Sequence, residues 1–116
     1  MKDQRILALY LLGSAATGRL RPDSDIDIAL MPERDARIGA LDRADMAASL
    51  AFDLGRDVDI GELTSENLVY SREAILKGIR LFARDGARAD LRAASLLGMY
   101  ARFNEDRREL IDAYRT

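Results

Sequence analysis

Leu11-Leu12-Gly13-Ser14-Ala15-Ala16-Thr17-Gly18-Arg19-Leu20-Arg21-Pro22-Asp23-Ser24-Asp25-Ile26-Asp27-Ile28-Ala29-Leu30 is the stretch that decides the fold. An apolar run ends in Gly-Ser, a small-residue segment and a turn follow, and a second apolar run opens with two acids one residue apart. This order predicts a strand, a turn of the size that takes a phosphate, and a strand with an acidic start. Alternate side chains of an extended strand share a face, so Asp25 and Asp27 project together while Ile26 and Ile28 point into the core. Two carboxylates held side by side resist ionisation unless a cation lies between them, and a hard divalent ion such as Mg²⁺ suits such ligands.

Working outward, the chain has 116 residues, the size of one domain able to bury its own core. It contains no cysteine and no histidine. Disulfides and thiolate zinc sites are thereby excluded, and so is the commonest general base. Chemistry must come from carboxylates, hydroxyls, amines and guanidiniums. Eighteen basic and twenty acidic residues are mixed along the chain for a formal charge of −2, which argues against a protein that coats nucleic acid. No apolar run reaches the roughly 18 residues of a membrane span, and Met1-Lys2-Asp3-Gln4-Arg5 opens no signal peptide, so a cytoplasmic location is expected.

Arg5 to Leu12 is, after its arginine, apolar on both faces, as a central strand would be. Ser14 is placed to cap a short helical turn that Gly18 stops, and Arg21-Pro22-Asp23-Ser24 is turn chemistry. A second strand covers Asp25 to Met31, closed by Pro32. From Arg37 to Leu54, Ile38, Leu41, Ala44, Ala48 and Ala51/Phe52 recur at helical spacing, predicting an amphipathic helix that packs by this stripe and ends at Gly55. Arg56-Asp57-Val58-Asp59-Ile60 alternates acids with aliphatics as a third strand. Thr64 or Ser65 would cap a helix running to Lys77, with Gly78 as its C′ residue. Ile79 to Ala83 reads as a fourth strand. From Ala87 to Arg115 only Gly98 interrupts a helix about 43 Å long at ~1.5 Å per residue. The sum is an α/β (α+β) fold: a small mixed sheet flanked by helices, in a single domain spanning 1–116 whose residues 87–116 form the long C-terminal helix.

Gly13 lets the backbone approach a ligand, and the free N–H groups of the following turn attract phosphate oxygens, helped by the Ser14 hydroxyl. Asp25 and Asp27 lie across the same turn, and Asp59 or Asp57 supplies a third acid. Arg19 and Arg21 are candidates to hold a triphosphate. An isolated Asp-x-Asp is usually a solvated strand start; joined to Gly-Ser by ten residues and followed by a third acidic strand, it carries specificity. Metal ions bridging phosphate oxygens are the usual machinery of phosphoryl and nucleotidyl transfer, and a carboxylate can take the proton of an attacking hydroxyl.

Gly13-Ser14, ten residues, Asp25-Ile26-Asp27 and the later Val58-Asp59-Ile60 resemble the minimal nucleotidyltransferases of the DNA polymerase beta superfamily. The resemblance continues through Ala74-Ile75-Leu76-Lys77-Gly78-Ile79-Arg80-Leu81-Phe82 and into Tyr100-Ala101-Arg102-Phe103. It implies the polymerase beta-like fold and selects Asp59 over Asp57. It implies Asp25, Asp27 and Asp59 as catalytic and metal-binding residues and Gly13 and Ser14 as nucleotide-binding ones, with Arg19 and Arg21 remaining the nucleotide-binding candidates read from the loop itself. Mg²⁺ is the implied cofactor and ATP the substrate. The family's small members commonly act as antitoxins beside a HEPN-domain ribonuclease toxin and transfer AMP to a toxin tyrosine. The expected function is therefore an antitoxin nucleotidyltransferase with a HEPN toxin as partner, the C-terminal helix being the expected docking element for the toxin or a second copy. The alternatives are an antitoxin acting by occlusion alone and, behind it, nucleotidylation of a small molecule, which usually needs an added substrate domain. Two departures stand out. Thr17 occupies the position where the family's Gly-Ser-x-Ala-Arg-Gly has arginine, and the helix usual before the first strand is absent, as in a shortened member or a late start.

Overall fold

Ile6–Leu12 forms β1, and its near-continuous apolar sequence follows from its place inside the sheet. The computed structural model describes residues 3–16, 18 and 25–115. After β1 come α1 (Gly13–Ala16), β2 (Ile26–Pro32), α2 (Ala40–Leu54), β3 (Val58–Glu62), α3 (Leu68–Lys77), β4 (Ile79–Ala83) and α4 (Gly86–Tyr114). The sheet order is β3-β2-β1-β4, with β1 antiparallel to both β2 and β4 and β3 parallel to β2. The parallel pair requires a crossover, which α2 supplies. The expected mixed sheet and long C-terminal helix are both present.

Strand alternation divides β2 between two cores. Ala29 and Met31 face α3 and α4, packing with Tyr10, Leu63, Ala74, Ala93 and Leu96. Leu30 faces the other way, packing with Ile6 and Ile38 beside Met46 of α2. Asp27 lies on the first of these faces by the period of two.

Three helix ends differ from expectation. α2 begins at Ala40 rather than Arg37, and its predicted inward stripe is outward: Leu41 is 83% and Phe52 88% exposed. The helix carries a second apolar stripe around Met46, Ala47 and Leu50, and long-range ion pairs select that rotation. Arg5 Nη1 donates to Asp42 at 2.8 Å, and Arg43 Nη1 donates to Glu62 at 3.0 Å and to the Ile38 carbonyl at 2.9 Å. α3 starts after Asn67, not after Thr64 or Ser65, because the Thr64 carbonyl is used in a turn with the Asn67 N–H and accepts from Ser71 Oγ. Gly78 is extended rather than left-handed, so the chain passes directly from α3 into β4.

α4 is capped by Asp85, whose carboxylate accepts from the Arg88 N–H at 3.1 Å. Arg88 also grips Glu33, which Arg84 approaches at 3.6 Å, tying the end of β2 to the start of α4. The apolar stripe of α4 begins buried at Leu96 and ends exposed at Leu110 and Tyr114. No helix among the described residues is long and apolar enough to cross a membrane.

Candidate active site

Three chain segments meet at one end of the sheet. Asp25 immediately precedes β2 and Asp27 is its second residue. Asp59 of β3 stands opposite Asp27 in the parallel register. Leu12, the last residue of β1, stands opposite Asp27 on the other side. The chain then turns at Gly13 with φ +65°, where a Cβ would fall 3.0 Å from Oδ2 of Asp27. Glycine is needed twice over at this position: for the left-handed backbone, and to leave the carboxylate its space.

Asp27 is half-buried, and its carboxyl is held above the usual carboxylate range, first by desolvation and then by the charges of Asp59 and Asp25. Asp57 lies one residue before β3, its carbonyl accepting from the Ile26 N–H at 2.9 Å, and is not among the charges acting on Asp27. Sequence-distant acids are thus brought close enough to repel. Among the described residues no ion pair relieves them. No three acidic side chains among those residues are drawn together tightly enough to hold an ion as they stand. The donor chemistry nevertheless fits a hard divalent cation: all three candidates are carboxylates, and positive charge would offset both the repulsion and the desolvation of Asp27. Thr17, Arg19, Arg21 and the Ser14 side chain lie outside the described residues.

One neighbour was missed by sequence reasoning. Tyr70 of α3, which the sequence pattern does not single out, lies against Gly61 of β3. A Cβ on Gly61 would come 2.1 Å from the Tyr70 Oη and 2.4 Å from its Cζ. Its phenol is pushed up to about 12 by burial and then by Asp27 and Asp59. The legible signal was a glycine inside a strand pattern, which often marks a close approach. At the opposite ends of β2 and β3, a cavity of about 960 Å³ includes Arg34, Arg37, Arg88 and Arg92 and, cancelling them, Glu33, Asp35, Glu62 and Glu66.

Residues 1–87 match the family described as polymerase beta, nucleotidyltransferase. The protein adenylyltransferase MntA of Shewanella oneidensis is 30% identical over 110 residues, covering 93% of this chain and 76% of that protein. The chain belongs to the minimal nucleotidyltransferase family. Solved structures agree. A toxin–antitoxin crystal structure with AMP-PNP aligns at a TM-score of 0.82 with 27% identity, covering 98% of this chain and 90% of that one. A tri-AMPylated Shewanella oneidensis HEPN toxin in complex with an MNT antitoxin aligns at 0.74 with 25% identity, covering 98% and 87%. In this nucleotidyltransferase the carboxylate-lined end of the sheet, not the charge-balanced cavity, is the candidate active site.

Proposed function

We propose that this nucleotidyltransferase is an antitoxin that transfers AMP from ATP to a tyrosine hydroxyl of a partner HEPN-domain toxin, with Mg²⁺ held by Asp25, Asp27 and Asp59. The observation that carries the reading is the Asp27–Asp59 register beside Gly13, which sets acids from two strands next to a glycine turn. The names of the adenylyltransferase relative and of the AMPylated toxin complex support the acceptor class.

Each group has a definable task. Mg²⁺, when bound, neutralises charge on the triphosphate and on the departing pyrophosphate. The Gly13 turn leaves Asp27 unobstructed and presents backbone N–H groups to phosphate oxygens. Arg19 and Arg21 hold the outer phosphates. Exposed Asp59 accepts the proton of the attacking tyrosine as its oxygen bonds to the α-phosphorus and the bond to pyrophosphate breaks. Neutralisation by binding alone is the second reading, and Thr17 favours it, because a guanidinium expected near the phosphates is missing from that position.

Incubating the chain with a candidate HEPN-domain toxin partner, Mg²⁺ and each labelled nucleoside triphosphate tests the proposal. Label from ATP on a toxin tyrosine is expected. Toxin neutralisation with no label from any nucleotide would select the binding-only reading.

A further inference from the structure

We propose that Tyr70 is a positioning residue of the transfer site: its hydroxyl, seated over Gly61, steadies the Asp27–Asp59 carboxylate pair for the cation. The inference rests on reading Asp25, Asp27 and Asp59 as cation ligands.

The placement follows from register. The parallel pairing sets Asp27 opposite Asp59 and Ala29 opposite Gly61. Asp59 and Gly61 therefore share a face, as do Asp27 and Ala29, and Gly61 is one rung further along, roughly 6.6 Å at ~3.3 Å per residue. Tyr70 reaches this rung from the first turn of α3. Its ring packs on the core built from Ala29, Met31 and Leu63, while its hydroxyl end occupies the space a side chain at position 61 would take. The phenol thus stands at the edge of the apolar core, one rung along β3 from Asp59.

The hydroxyl has a donor to spare. Among the described residues no hydrogen bond engages it, and the charges acting on it are those of Asp27 and Asp59. The phenol O–H is a hydrogen-bond donor, and it sits on the face of β3 that Gly61 shares with Asp59. Donors behind metal-ligating carboxylates orient them and raise their affinity. A purely structural ring would need no hydroxyl, so phenylalanine would serve equally well.

Titration with Mn²⁺ alone, followed by electron paramagnetic resonance, separates these roles without measuring turnover. Tyr70→Phe should weaken Mn²⁺ binding on the order of tenfold, with a melting temperature within roughly 3 °C of the parent. Gly61→Ala, which displaces the ring, should weaken it at least as much. Equal Mn²⁺ affinity in the parent and Tyr70→Phe would overturn the proposal while leaving the carboxylate site standing. Loss in Gly61→Ala alone would likewise overturn it, assigning the effect to the ring. A parent chain that binds no Mn²⁺ would overturn the cation reading and this inference with it.

Discussion

Gly13 and Asp27 share one space: the Cβ that Gly13 lacks would sit 3.0 Å from Oδ2 of Asp27. The Gly-Ser turn and the Asp-x-Asp strand are therefore joined sterically, and in the proposed reading the residue that admits a phosphate also clears room for the carboxylate. Gly13→Ala adds a side chain at φ +65°, at a cost of about 1–2 kcal/mol, and presses on Asp27. A displacement of about 1 Å at such a site can lower a rate about 10²-fold. AMP transfer should fall by that order while the melting temperature drops only modestly; unchanged transfer would disconnect the turn from the acid.

The raised Asp27 carboxyl has a sign that thermal unfolding can read. The folded chain holds this proton more readily than the unfolded chain, whose carboxyl titrates near 3.8. Between 3.8 and the raised folded value, ionisation of Asp27 costs stability as pH rises. In EDTA at neutral pH, Asp27→Asn should accordingly melt higher than the parent, and the difference should vanish below pH 3.8. Adding Mg²⁺ should raise the parent more than the variant. A variant less stable than the parent in EDTA at neutral pH would contradict the repulsion.

Thr17 offers a gain-of-function test. If a guanidinium at this position serves the phosphates, Thr17→Arg should speed transfer, by no more than about 10²–10³. An unchanged rate in Thr17→Arg, combined with collapse in Arg19→Ala, would show that the charge has moved along the loop.

The end of α4 makes a separate expectation about docking. Leu110 is 60% and Tyr114 83% exposed, and Ile111 between them is 45% exposed. We expect this strip to meet the toxin, so Leu110→Glu with Tyr114→Glu should weaken capture of the HEPN partner in a pull-down at nearly unchanged melting temperature. A large fall in melting temperature with capture intact would make the strip a structural surface.

Much of the frame was legible in the residues, and the exceptions have physical causes. The double-faced apolar run of β1, the alternation Asp27-Ile28 and Asp59-Ile60, and the unbroken stretch after Asp85 each specify their element locally. The rotation of α2 does not follow from its sequence, because an alanine-rich helix with two apolar stripes is oriented by what its polar residues reach, here Arg5 and Glu62. The start of α3 depends on a turn that spends the Thr64 carbonyl. At the site, motif spacing marked Gly13, Asp25 and Asp27 and left Asp57 and Asp59 both open as the third acid, and the register sets Asp59 against Asp27. Tyr70 stayed hidden because its proximity to the acids depends on how α3 docks over Gly61, which no local pattern encodes.

The central claim is that the paired carboxylates transfer AMP rather than merely shape a binding surface. The most direct measurement is mass spectrometry of the HEPN partner after incubation with ATP and Mg²⁺, comparing the parent chain with Asp27→Asn/Asp59→Asn. The account predicts AMP on a toxin tyrosine with the parent and none with the variant, while a pull-down shows the variant still holding its partner. AMP on the toxin at equal yield from the variant, or neutralisation by the parent without any AMP, would contradict it.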